Sequence, residues 1–415
     1  MNLNSKPYIV YNDEYSTIDF NFIFPFKYDK EHIFDIDLIR QIVMNSSLDY
    51  KTEQEFKIAK IQKLSGINCS NIKLHNSCFL RFSLTCPNPK KIKNFDIESA
   101  FEFFYRTIYN PNIINEEFNN EKFEREKGFL KFSIQNSLKN VNNRSYQNFL
   151  QIFDDIGDMK DNITNNLELI EKANAKYLYD YYKKIVLDNK PICVVYGDIT
   201  QDEVGKIYYK YFPKNRAEIT FDKDYSCYMK LSKEVNKVEE IADYNQSVLY
   251  MGYKVKDMKE KDEILLSLLC DILGNRSTNL IQKKLRNEKN LIYTYDFSCY
   301  SKKGMFFIAA YIDSHNKDKT IESIDELFLQ LRDEKLIEKS INHIIEEFEY
   351  NLIENKDSKY YELERYINDL FEFNISMEEL IDSYKKITAK ELILFLDRVQ
   401  LDTIYFLRGV TNATE

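Results

Sequence analysis

Arg286 and Tyr293 stand seven residues apart in the stretch GNRSTNLIQKKLRNEKNLIYTYDFS, Gly274 to Ser298. A guanidinium presents a rigid planar fork of donors, and a phenol presents one hydroxyl donor. Facing one cleft, the two would hold a peptide carbonyl and the oxyanion it becomes under nucleophilic attack. With 31 tyrosines in the chain, such a pair means little unless the surrounding elements aim it. Leu280, Ile281, Lys284 and Leu285 suit a helix with one buried side. Asn287–Asn290 is polar and turn-like, and Tyr293, Tyr295 and Phe297 alternate with Thr294, Asp296 and Ser298 as a half-buried strand does. This order places Arg286 at a helix end and Tyr293 at a strand entry. Asn275, Ser277 and Thr278 are placed to cap the helix that carries Arg286.

The 415 residues exceed one core of ordinary size, so two or more domains are expected. Apolar content of 44% and charged content of 30% describe a globular chain. A net charge of −9 without a dense basic tract argues against nucleic acid or an anionic membrane as the main partner. Seven cysteines are scattered with no C-x-x-C pair, which suits buried free thiols in a reducing compartment. The amino terminus lacks a basic-then-apolar leader, and no run approaches a membrane span. A cytoplasmic location is the expectation.

Along the chain, Ile18, Phe20, Phe22 and Phe24 alternate with Asp19, Asn21 and Ile23, predicting a strand with one buried face. Helices are predicted over Ile33–Met44 and Glu53–Leu64, the second ended by Gly66, and a strand over Phe79–Thr85. Helices follow over Ile97–Ile108, Asn115–Ser137, Tyr146–Phe153 and Leu167–Lys184, then a strand over Pro191–Tyr196 and a helix over Asp202–Tyr211. Arg216–Ala242 reads as a linker, mixed in charge and without helical period. The second half then repeats the first. IESAFEFFYR at Ile97 matches IESIDELFLQL at Ile321, and LELIEKANAKYLYDYY with PICVVYGD matches EELIDSYKKITAKELILFL with TIYFLRG. A hairpin is predicted from Tyr293–Cys299 through Ser301–Gly304 into Met305–Ile312. The fold class is α+β: two homologous lobes, each a mostly antiparallel sheet packed with helices. Their limits are 1–215 and 243–415, joined by a linker at 216–242.

A duplicated lobe with this element order resembles the pitrilysin/insulinase family of inverted-motif zinc metallopeptidases, which includes the mitochondrial processing peptidases. The resemblance spans nearly the whole chain. It is clearest at NPNIINEEFNNEKFEREK, at ELIEKANAKYLYDYYKK with VVYGD, at ILGNRSTNLIQKKLRNEKNLIYTY and at IYFLRG. In that family a glycine-containing turn leads into a helix ending in Arg, with a Tyr seven residues on, and Arg286 and Tyr293 match that spacing. The catalytic motif does not match. The family carries H-x-x-E-H on the helix after the first strand, two histidines for zinc and a glutamate that activates the bound water. Here the corresponding slot reads Asp37-Leu38-Ile39-Arg40-Gln41, and none of His32, His75, His315 and His343 begins such a motif. His343-Ile344-Ile345-Glu346-Glu347 comes nearest, in the wrong lobe and with Glu in the fifth place.

The resemblance therefore implies a subunit that keeps the substrate-gripping residues and lacks the metal. Its relatives of this kind work as pairs, with the zinc in a paralogous partner. The implied assembly is a heterodimer that processes a peptide, as in leader removal or bacteriocin maturation, with Tyr293 and Arg286 acting in trans. The implied cofactor is none in this chain and zinc in the partner. The rival reading is a non-catalytic scaffold or peptide holder with an inherited peptidase fold.

Overall fold

The computed structural model describes residues 6–410 apart from 33, 158, 161–166, 213–222, 224, 278 and 356–357. The elements run β1 (Tyr8–Tyr11), β2 (Thr17–Lys27), α1 (Asp35–Val43), α2 (Glu53–Gln62), β3 (Gly66–Leu74), β4 (Ser77–Pro87) and α3 (Ile97–Tyr109). A small hairpin, β5 (Ile113–Ile114) and β6 (Glu117–Phe118), precedes α4 (Asn120–Ser137) and α5 (Val141–Phe153). Then come α6 (Leu167–Lys172), α7 (Ala175–Tyr182), β7 (Ile192–Gly197) and α8 (Gln201–Tyr211). The second half holds β8 (Asn236–Ala242), β9 (Ser247–Val255), α9 (Glu263–Cys270), β10 (Thr294–Tyr300) and β11 (Met305–Ile312). It continues through α10 (Lys317–Gln330), α11 (Glu334–Glu354), α12 (Lys359–Phe371), α13 (Met377–Tyr384) and α14 (Ala389–Leu396) to β12 (Val399–Gly409).

The chain divides into two compact units, each α+β around a five-stranded sheet. The first sheet runs β1-β7-β2-β4-β3 and the second β8-β12-β9-β11-β10, the same order once the strands are counted from each half's start. In both, the first and last strands of the half pair in parallel and the rest are antiparallel. This is the duplication that the repeated motifs predict. The hairpin β10–β11 is as expected, turning at Gly304 with φ 66°.

Each unit borrows one helix from the other half of the sequence. The first unit comprises 1–135, 162–225 and 359–372, and the second comprises 136–161, 226–358 and 373–415. Phe20, Phe22 and Phe24 of β2 join the main core of the first unit with α3, α7 and α8. The opposite face, read from the sequence as exposed, is also buried, because α12 covers it. There Lys359 pairs with Asp19 at 2.5 Å, Arg81 with Glu364 at 2.5 Å, and Tyr196 donates to Glu362. In the second unit α5 takes the matching place through aromatic contacts. Phe149 stacks on Tyr250 with ring centroids 4.7 Å apart, and Phe153 meets Phe307 edge-on. Gly252 of β9 makes room for them, since a Cβ there would lie 2.5 Å from the Phe153 ring.

Three local readings need correction. Gly66 does not end α2 but opens β3; Leu64, with φ 47°, makes the turn. Leu167–Lys184 is not one helix, because Asn174 adopts an extended backbone and caps α7 through the Tyr177 N–H. The end of the stretch read as linker, Asn236–Ala242, is the edge strand β8, whose exposed charges hid its pattern. The rest of that stretch lies partly outside the described residues.

Candidate functional site

The Arg286 segment is built from Leu280, Ile281 and Leu285, which are buried and fix one side of the turn against the second core. From Gln282 to Glu288 the backbone widens into a π-helix, with the Lys289 N–H donating to Lys284 C=O at 3.1 Å. Asn290, in the left-handed region at φ 49°, reverses the chain, and the Leu291 N–H closes the turn on Leu285 C=O at 2.8 Å. Ile292 is buried, and the Tyr293 N–H then docks on Tyr311 C=O at 2.9 Å. Arg286 and Tyr293 thus flank a short turn whose ends are both pinned to the core.

The cap is not where the sequence placed it. Asn279 accepts the Gln282 N–H at 2.8 Å, while Ser277 donates to Glu347 and Asn275 to Asp271. Thr278 lies outside the described residues. Gly274 serves the packing instead. A Cβ there would overlap the Phe297 ring, so only glycine lets β10 close on this turn.

Tyr293 and Arg286 both face solvent. Tyr293 is 56% exposed, although Tyr295 and Phe297, two and four residues on with the same strand parity, pack against the second core. The Asp313 carboxylate favours its protonated form and raises the phenol above its ordinary value. Among the described residues no hydrogen bond or ion pair engages Arg286, which is exposed. Arg276 is the contrast: it pairs with buried Asp271 at 3.0 Å and lies 4.1 Å over the Phe348 ring. That arginine is held by the fold, whereas Arg286 has no such partner among the described residues.

The slot of the zinc motif lies on α1, and its residues do not fit a zinc ion. Arg40 Nη1 donates to Asp37 and to Asn71 Oδ1, each at 3.1 Å, and Arg40 Nε donates to Cys69 C=O at 3.1 Å. A fixed guanidinium occupies the carboxylate a metal would need. Burial raises the Asp37 carboxyl and Arg40 opposes that rise. Among the described residues no group of three or more His, Cys, Asp or Glu side chains is placed to hold a metal ion. His32 is spent elsewhere, its ring stacked on Tyr181 at 3.7 Å and its Nδ1 2.5 Å from Asp35. His343 pairs with Glu346 at 3.5 Å, the one such pair it makes among the described residues. Sequence reasoning missed Asp313 and the Arg40–Asp37 pair. The i, i+3 charges on a helix were the available sign of the second.

Residues 172–348 match the family described as the peptidase M16 inactive domain. A "probable inactive metalloprotease YmfF" of Bacillus subtilis is 21% identical over 340 residues, 81% of this chain and 79% of that protein. A conserved protein from Enterococcus faecalis V583 shares the fold at a TM-score of 0.82 and 18% identity, over 97% of this chain and 96% of that one. A peptidase M16 inactive domain from Pseudomonas fluorescens superposes at 0.72 and 12% identity, over 97% and 95%. Among the described residues no helix is long and apolar enough to cross a membrane.

Proposed function

With the chain a member of the M16 peptidase family, among its inactive domains, we propose that it is the peptide-gripping subunit of a two-subunit metallopeptidase. The observation that carries this reading is the exposed Arg286 and Tyr293 at the mouth of β10, in a chain whose zinc slot is filled by Arg40 and Asp37. The zinc-bearing paralogue supplies the metal-activated water. This chain binds the substrate, Arg286 fixes the carbonyl and the backbone beside it, and Tyr293, kept protonated by Asp313, donates to the developing oxyanion. The substrate class is a peptide undergoing maturation, such as a ribosomally made peptide losing its leader, in the cytoplasm.

Co-expression with an H-x-x-E-H paralogue, size-exclusion and peptide digestion test it. The pair assembles and cleaves, and the Tyr293→Phe pair assembles but loses about two to three orders of magnitude in rate. Unchanged turnover by Tyr293→Phe would exclude the role given to it. The inactive-type relatives favour a second reading, a non-catalytic peptide holder; it predicts peptide binding without partner association.

A further inference from the structure

The two halves treat their equivalent edge strands in opposite ways. β3 and β10 are the outer strands beside their hairpin partners, and they end at Leu74 and Tyr300, 226 residues apart. The same offset carries Lys60 onto Arg286 and Ile67 onto Tyr293. In the first unit Lys60 Nζ donates to Ile67 C=O at 3.3 Å, and Arg40 Nε to Cys69 C=O at 3.1 Å. These carbonyls, two residues apart, point away from β4, so two cations close the open side of β3. A strand edge closed this way does not accept another strand.

On β10 the closure is missing. The Val255 N–H donates to Gly304 C=O, which fixes the alternation along β11. Met305, Phe307, Ala309 and Tyr311 therefore bond β10 through Tyr300, Ser298, Asp296 and Thr294. Tyr295, Phe297 and Cys299 turn their N–H and C=O groups outward, and among the described residues no hydrogen bond occupies them. The helix starts Asp35 and Glu263 lie 228 residues apart, which carries Arg40 onto Leu268, a fully buried apolar residue. The counterpart of Lys60 is Arg286, which makes no bond among the described residues. The other edges differ: β1 has only four residues, and β8 carries Glu239 paired with Lys317 and Glu240 paired with Arg144.

We infer that the outer edge of β10 is the strand-docking edge of this chain, taking an extended acidic peptide segment. Its backbone pairs with Tyr295, Phe297 and Cys299, and its carboxylate meets Arg286. Charge complementarity sets the acidic preference, because Lys283 and Arg286, three residues apart on an exposed turn, have no ion-pair partner among the described residues. This inference rests on the peptide-gripping reading and names the edge that does the gripping.

Random dodecapeptides displayed on phage are selected on the full chain, and residue-resolved hydrogen exchange is read with the winning peptides. The winners are rich in Asp and Glu, and they slow exchange at Tyr295, Phe297 and Cys299 while leaving Ile67 and Cys69 unchanged. Arg286→Glu weakens their binding about tenfold or more, as loss of a charged hydrogen bond should. Cys299→Pro, which removes an outward N–H at an edge position that tolerates proline, abolishes binding with the fold checked by circular dichroism. Protection at β3, protection at neither edge, or a selection with no binder overturns the inference. Peptides that pair with β10 while no zinc-bearing partner associates remove the two-subunit function and leave the edge standing. Normal turnover by a folded Cys299→Pro pair removes the edge and leaves the function.

Discussion

Arg276 and Arg286 show what separates a structural arginine from a binding one. Both stand on the same stretch, yet among the described residues only Arg276 has a carboxylate and a ring to hold it. The sequence favoured Arg286 on spacing alone, and nothing in the sequence revealed that the Asp313 charge would act on Tyr293. That charge makes a residue-scale prediction. Asp313→Asn removes the charge that favours the protonated phenol, so the Tyr293 pKa falls toward the ordinary value of about 10. Carbon-detected NMR of labelled tyrosine reads the shift, and an unmoved Tyr293 titration would show that the Asp313 charge does not act on it. Asp37 gives a second prediction. Burial raises its folded pKa above the unfolded value, so the native state binds more protons and stability falls as pH rises from about 4. Arg40→Ala removes the opposing cation and steepens that fall. Urea melts show a larger loss for the variant at pH 7 than at pH 4; an equal loss at both would mean Arg40 acts only as an edge cap.

At the scale of elements, α5 and α12 occupy equivalent positions by different chemistry. The sheet face under α12 is polar, with Asp19, Asn21, Arg81 and Tyr196, and that face looked solvent-exposed in the sequence because its alternation was so clean. A polar face covered by a charged helix has the same pattern as one facing water, which is why α12 was not foreseen there. The two docked helices should fail differently. Lys359→Met leaves the Asp19 carboxylate buried without its cation and costs about 3 kcal/mol. Phe149→Ala empties a stacked aromatic cluster and costs about 3–5 kcal/mol. Gly252→Ala drives a methyl into the Phe153 ring and costs about 1–3 kcal/mol. Hydrogen exchange localises each loss: Val141–Phe153 opens in the last two variants and Lys359–Phe371 in the first. Uniform acceleration along the chain would contradict the assignment of each helix to one face.

At the scale of the molecule, the repeated motifs made the duplication legible, since IESAFEFFYR and IESIDELFLQL fall on equivalent helices, α3 and α10. The exchange of helices between the halves left no trace in the sequence, because a helix's apolar face does not say which sheet it covers. The exchange makes the contiguous halves poor folding units. A fragment of residues 1–212 lacks α12 and exposes Asp19 and Asn21 on a sheet face that is otherwise buried, while a fragment of 226–410 lacks α5 and exposes Tyr250 and Phe307. Burying roughly 150–250 Å² of aromatic surface per ring is a large part of a domain's net stability of about 5–15 kcal/mol. Each fragment alone should therefore bind a hydrophobic dye and unfold without a cooperative transition. Adding residues 136–161 in trans to the second fragment should restore a sharp melt, because it returns Phe149 and Phe153 to the face that Gly252 leaves open. A cooperative melt of the unaided 226–410 fragment, with native protection along β9, would show instead that the sheet and its outer helices suffice and that α5 is an accessory.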